Sequence, residues 1–267
     1  MATLILILSA CSEGSSIDET ENNDTTLKKP IEEPIVEEES QEVEKEIEDE
    51  FVEEVVEPLY ELDASWGLKP VGDANPKVVL LTIDDAPDKR ALDMAKTLKE
   101  LNAPAIFFVN GHFIETDEEK AILKEIHELG FAIGNHTKTH PNLKQSTEEQ
   151  QREEILSVSD RVEEVIGERP KFFRAPFGVN TDYSKALVKE EEMLLMNWSF
   201  GYDWEKQYMD AAAIADIMVN TELLRNGSNL LMHDREWTAD ALKEIVEGLR
   251  AKGYEMIDPA SIKGVSE

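Results

Sequence analysis

From about Ser65 the chain alternates short apolar strands with amphipathic helices, and this alternation limits the fold more than any other feature. Strands are predicted over 78–83, 105–109, 131–135, 172–174, 193–198, 228–232 and 254–257. Between them, helices are predicted over 90–101, 116–129, 147–166, 182–192, 211–224 and 238–252. Two helix starts carry a capping signature, Thr116 with Glu119 and Thr147 with Gln150, and Gly130 and Gly167 close the same two helices. Strict alternation implies a parallel sheet, either doubly wound or closed as a barrel. No glycine-rich phosphate loop follows a strand, which argues against a nucleotide-binding sheet. A region of roughly 200 residues is short for a full eight-unit barrel, so a smaller, distorted (β/α) barrel of about seven parallel strands is expected.

Charge separates the rest of the chain from this region. Of the formal charge of −31 over 267 residues, −18 falls on residues 1–64, where 21 acids face 3 lysines. Such a surface lacks the basic footprint that nucleic acid requires, and that class of partner is excluded. Residues 12–64 are rich in glutamate and poor in apolar side chains; they read as a disordered, self-repelling acidic linker. Ahead of it, residues 1–11 read as a signal peptide, in which residues 3–8 form an apolar run too short to span a bilayer, followed by Ser9, Ala10 and the single cysteine, Cys11. One cysteine excludes an internal disulfide and a cysteine-based zinc site. The domain from 65 to 267 is expected to carry the function.

The ends of the predicted strands concentrate the chemistry. After the first come Asp84 and Asp85, after the second Asn110 and His112, and after the third His136-Thr-Lys-Thr-His140. Arg174, Pro176 and Gly178 follow the fourth, Asp203 and Trp204 the fifth, and His233 and Asp234 the sixth. In a parallel α/β fold all these points lie on the carboxyl face, where ligand sites are built. Two neutral imidazoles and one carboxylate form a three-ligand set with an open position, as in a catalytic zinc site. Either Asp84 or Asp85 can supply that carboxylate, leaving the other to act as a base. His127 reads as a solvated helix position, the Phe107-Phe108 and Phe172-Phe173 pairs as core, and His112, which follows a strand near the pocket, as a residue that supports the site from behind rather than lining it.

The ordered set T-I-D-D-A-P, H-T-x-x-H, R-A-P-F-G, D-W and L-M-H resembles the polysaccharide deacetylases of the NodB-homology type, carbohydrate esterase family four. The resemblance covers roughly Lys77 to Ile257, essentially the whole predicted globular part. It implies a distorted barrel and metal-dependent removal of N-acetyl groups from amino sugars in a cell-wall polysaccharide, with a divalent metal, zinc, as cofactor. By the same resemblance Asp84 is the general base, Asp85, His136 and His140 are the metal ligands, and His233 is the general acid. Arg174 orients Asp84 and Asp203 orients His233. Leu231 and Trp204 line the acetyl pocket, and the Phe177 backbone N–H helps hold the oxyanion. The chain departs from the family at Ile83, Ala86 and Phe200, where the family has Phe, Gly and an acid.

Leu8-Ser9-Ala10-Cys11 resembles a bacterial lipobox, which implies cleavage before Cys11, lipidation of its sulfur, and an extracytoplasmic protein anchored to the bacterial cell membrane; a monomer is expected. A wall-binding lipoprotein without turnover and an esterase acting on O-acetylated sugars are the alternative functions.

Overall fold

The computed structural model describes residues 57–265. The expected signal peptide, the lipobox at Cys11 and the linker as far as residue 56 lie outside the described residues.

Seven strands form one curled, all-parallel sheet: β3 (Val78–Ala86), β4 (Ala105–Val109), β5 (Ala132–Asn135), β6 (Phe172–Phe173), β7 (Leu194–Leu195), β8 (Ser228–His233) and β9 (Glu255–Met256). Its order is β7-β6-β5-β4-β3-β8, with β9 pairing the start of β3. Six helices connect these strands: α1 (Ala91–Glu100), α2 (Asp117–Glu128), α3 (Glu148–Ile166), α4 (Asp182–Glu190), α5 (Ala211–Asn220) and α6 (Glu236–Ala251). β3 is the central strand; Val78 to Ile83 are all buried, as a strand covered on both faces requires. β7 is only two residues long, and the chain beyond it finishes the curl. The Met196 N–H donates to the Phe173 carbonyl and the Ser199 N–H to the Asn229 carbonyl, so residues 196–200 bridge β6 to β8. The expected distorted (β/α) barrel is thus present as a curled sheet whose last gap is closed by an irregular segment.

Local signals explain most element ends. Both predicted capping boxes form, and Thr181 with Ser184 makes a third. Gly167 ends α3 at φ 86, where a side chain would be strained. The main apolar cluster packs α1, α5 and α6 against β3, β4 and β8 through Met94, Leu98, Phe107, Met218, Ile245 and Leu249.

Two boundaries differ from expectation. Tyr60–Leu62 (β1), assigned to the linker, pairs antiparallel with Leu68–Pro70 (β2), and Tyr60 and Leu68 are buried with Leu80 and Ile262. The folded part therefore begins before residue 65, because this hairpin covers apolar surface at the foot of β3. β3 also runs on through both aspartates to Ala86 instead of stopping at Ile83.

Candidate active site

Adjacent residues of a regular strand point to opposite faces. Asp84 and Asp85 escape that rule because the β3–β4 register shifts between Ile83 and Ala86, and Asp85 takes φ 60. The irregularity re-aims the second carboxylate, so both acids line one cavity of about 360 Å³. Asp84 keeps its place in the β3–β8 register opposite His233. Ala86 rejoins the ladder opposite Val109 with its methyl in the apolar core.

Asp84 is buried, and so is its partner. Arg174, just past β6, donates from Nη1 to Asp84 Oδ1 at 2.6 Å and to Thr82 Oγ1 at 2.8 Å, and from Nη2 to the Asn197 carbonyl at 2.9 Å. Its guanidinium lies 4.3 Å from the centre of the Phe108 ring. Burial pushes the Asp84 carboxyl up, but Arg174, with His136 and His233, outweighs burial and holds it below the ordinary carboxylate value. Asp84 is held as an anion.

The second cluster is Asp85, His136 and His140, whose ligand atoms all lie within 4.8 Å of one another. His136 Nε2 is 3.8 Å and His140 Nε2 3.6 Å from Asp85 Oδ1. At 2.7 Å the Arg174 carbonyl accepts from His136 Nδ1, so that nitrogen carries the hydrogen and Nε2 presents its lone pair to the cluster. Burial, followed by the neighbouring His136, lowers the His140 pKa and favours the neutral imidazole that ligation needs. Donor types, spacing and protonation all fit a divalent metal.

The loop between the two histidines is bent into a left-handed conformation at Thr137 (φ 70) and His140 (φ 58). Glu154 of α3 holds it there. Its side chain accepts from the Thr139 N–H at 2.7 Å and the Thr139 hydroxyl at 2.6 Å, and its carbonyl accepts from the Lys138 N–H. From the other side, Asn110 donates to the carbonyls of His136 and Thr137, and the His112 backbone N–H donates to that of Lys138.

His233 ends β8 on the far wall of the cavity. Its Nδ1 lies 2.7 Å from Asp203 Oδ1, while Asp203 Oδ2 accepts from the His233 backbone N–H and the Thr238 hydroxyl. Burial lowers the His233 pKa, but the hydrogen bond and charge of Asp203, with Asp84 and Asp85 beyond, raise it above its ordinary value. Leu231, Trp198 and Trp204 supply apolar wall, and the exposed Phe177 (φ 58) stands at the rim, its ring 4.9 Å from His140.

Known proteins match this arrangement. A family model described as polysaccharide deacetylase matches residues 71–195. A peptidoglycan-N-acetylglucosamine deacetylase of Bacillus cereus is 31% identical over 70% of this chain and 68% of its own length. The chain belongs to the polysaccharide deacetylase family.

The deacetylases among these relatives are hydrolases of amide C–N bonds, and the chain is a hydrolase of that class. The peptidoglycan-N-acetylmuramic acid deacetylase PdaC of Bacillus subtilis is 30% identical over 73% of this chain, and the match spans 40% of that longer relative. A solved peptidoglycan N-acetylglucosamine deacetylase bound to an N-hydroxybenzamide is 30% identical, with a TM-score of 0.63 over 70% of this chain and 88% of that one.

The residues singled out from sequence in the described part gather in this one cavity or directly behind it. His127 stands apart on α2, 3.6 Å from Glu168. Phe200, at the position of the family's missing acid, is buried and bridges to Leu230, which leaves Asp203 as the acid that reaches His233. Sequence reasoning passed over Glu154, Thr82, Asn229, Trp198 and Arg235, and the reach of Asp234. That last carboxylate accepts from the N–H groups of Lys89 and Arg90, tying β8 to the loop that follows the aspartates. Thr82 stands inside the T-I-D-D-A-P motif and Arg235 two residues past L-M-H, so the sequence could have drawn attention to these two.

Proposed function

We propose that this chain removes N-acetyl groups from amino sugars of cell-wall peptidoglycan, releasing acetate, with zinc held by Asp85, His136 and His140. The observation that carries the reading is the pairing of Asp84 with His233 across neighbouring strands, the proton affinity of one lowered by Arg174 and that of the other raised by Asp203. Hydrolysis needs one group to accept a proton and another to supply one, and two sites whose proton affinities are pushed apart meet that need.

When bound, a divalent cation supplies Lewis acidity toward the acetyl carbonyl and the attacking water. Asp84 keeps Oδ1 on Arg174 and turns Oδ2 toward His136 Nε2, 3.5 Å away, so Oδ2 takes the proton as the water oxygen bonds to the carbonyl carbon. The Phe177 N–H donates to the oxygen on which negative charge grows. His233 Nε2 then gives its proton to the departing nitrogen as the C–N bond breaks, while Asp203 at Nδ1 keeps the ring in line. Leu231 and Trp204 enclose the acetyl methyl.

Zinc-loaded full chain is expected to release acetate from muropeptides or chitin oligomers faster than from acetylated xylan, and Asp84→Asn is expected to cut release by about 10²-fold to 10⁴-fold while retaining zinc. A preference for the xylan ester would replace amide hydrolysis by the esterase reading, and metal retention with no turnover on any substrate would favour a wall-binding protein. The anchor is a separate part of the proposal: Cys11 carries lipid, and the acidic linker lets the catalytic domain search the wall from the membrane. Mass spectrometry of the membrane fraction is expected to show a lipidated Cys11, and Cys11→Ser is expected to free the protein.

A further inference from the structure

Resting on the deacetylase reading, we propose that Arg235 is a specificity-determining residue that selects amino sugars bearing a carboxylate beside the acetamido group. Arg235 follows β8 by two residues and, among the described residues, is the one lysine or arginine lining the cavity. Arg174, behind the wall, spends its Nη1 and Nη2 hydrogens on Asp84, Thr82 and Asn197. The Arg235 side chain makes no hydrogen bond to any other described residue, and its Nε is buried without a partner. A guanidinium carries five fixed donors suited to a two-pronged grip on a carboxylate, and a buried donor left unmatched is costly. Among the described residues the nearest carboxylate oxygen to it is Asp85 Oδ2, at 4.0 Å, beyond hydrogen-bond reach.

The place of this arginine narrows what it can read. Asp85 turns Oδ1 toward the two imidazoles and Oδ2 toward Arg235, so the guanidinium sits one carboxylate's width from the metal cluster. A ligand group that reaches it is therefore attached very near the scissile amide. In a 1,4-linked 2-acetamido sugar, the neighbouring C1 is committed to the chain, which leaves the oxygen on C3. A carboxylate carried there is a lactyl ether, the substituent of a muramic-type sugar. In a chain of formal charge −31, with Asp84 and Asp85 on the same cavity, an arginine held only by a 4.0 Å approach to Asp85 and by the Trp237 ring, with its hydrogen-bond donors still open, is what such an anion requires to enter.

The test uses full-length, zinc-loaded protein in an Asp84→Asn background, so that ligands bind without turnover. Calorimetry compares chitotetraose with a muramic-acid glycan of equal length, stripped of peptide so that its lactyl carboxylates are free. With Arg235 present the anionic glycan is expected to bind at least about tenfold more tightly at low salt; Arg235→Gln cuts that ratio about tenfold and Arg235→Lys retains part of it. A ratio near one with Arg235 intact overturns the proposal. So does an Arg235→Gln protein that keeps the ratio and loses zinc affinity, since the arginine would then serve only to position Asp85. Acetate release by the otherwise unaltered chain reports separately on deacetylation: no release from either glycan sinks that reading, while the affinity ratio still decides Arg235.

Discussion

Arg174 Nη1 and Asp84 Oδ1 meet at 2.6 Å with both side chains almost wholly out of solvent. Removing one member of such a pair strands the other as a buried charge, which costs about 3–5 kcal/mol. Arg174→Met is therefore expected to lower unfolding free energy by about that amount, read from urea midpoints at constant slope. Asp84→Asn strands the arginine in turn, and it is also expected to lower acetate release by about 10²-fold to 10⁴-fold. If both variants unfold at the wild-type midpoint, the pair does not hold this part of the fold.

His233 gives a pH prediction with a defined sign. Its raised pKa extends the protonated form to higher pH than an ordinary histidine allows, and turnover is expected to fall as pH rises through that value. The stability it contributes has the same direction: fully present below the ordinary histidine value of 6.5 and lost as pH rises through the raised one. Asp203→Asn removes the charge that raises it, so the alkaline limb of kcat/KM is expected to move to lower pH. NMR titration of the His233 ring gives the same reading without substrate, and an unmoved limb with a shifted ring would take the role of acid away from His233.

Strand and helix order, both predicted capping boxes and the polar ends of the strands were legible because each depends on near neighbours in the chain. The bulge at Asp84-Asp85 was not, since the register between β3 and β4 is settled by how Val109 and Ala86 pack, 23 residues apart in sequence. The same reasoning covers the supports. Glu154 lies on an acidic helix where nothing sets it apart from Glu153, and Asp234 caps a turn 145 residues away. Tyr60 escaped because the charge of the preceding tract hides a three-residue strand. Residues inside the matched motifs thus carried a signal even where, like Arg174 and Asp203, they brace the cavity from behind, whereas Glu154, outside every motif, carried almost none.

Glu154 offers a test of that bracing. Its carboxylate holds the Thr139 N–H and hydroxyl, and the two strained φ angles of the loop lie at Thr137 and, one residue past this clamp, at His140. Loss of a support that orients a metal ligand typically costs about 10-fold to 100-fold in metal affinity. Glu154→Ala is expected to weaken zinc binding by that factor in a chelator competition, with Glu154→Gln intermediate because one acceptor remains. Equal zinc affinity in all three proteins would mean that the loop is held by Asn110 and His112 alone.

Gly201 sets the wall between acid and acetyl pocket. A Cβ there would stand 2.5 Å from the Leu231 carbonyl oxygen, 2.9 Å from the Leu231 Cβ and 2.9 Å from the Trp204 ring. Trp204 is partly exposed and can swing away, but the closest atom belongs to the backbone of β8. That strand has to shift, and it carries His233 two residues further on. Overpacking of this kind costs about 1–3 kcal/mol. Gly201→Ala is therefore expected to lower thermal stability modestly and to damage kcat as well as KM, since His233 moves together with the Leu231 wall. A rise in KM with kcat intact would show that Trp204 alone absorbs the methyl and that β8 stays in place.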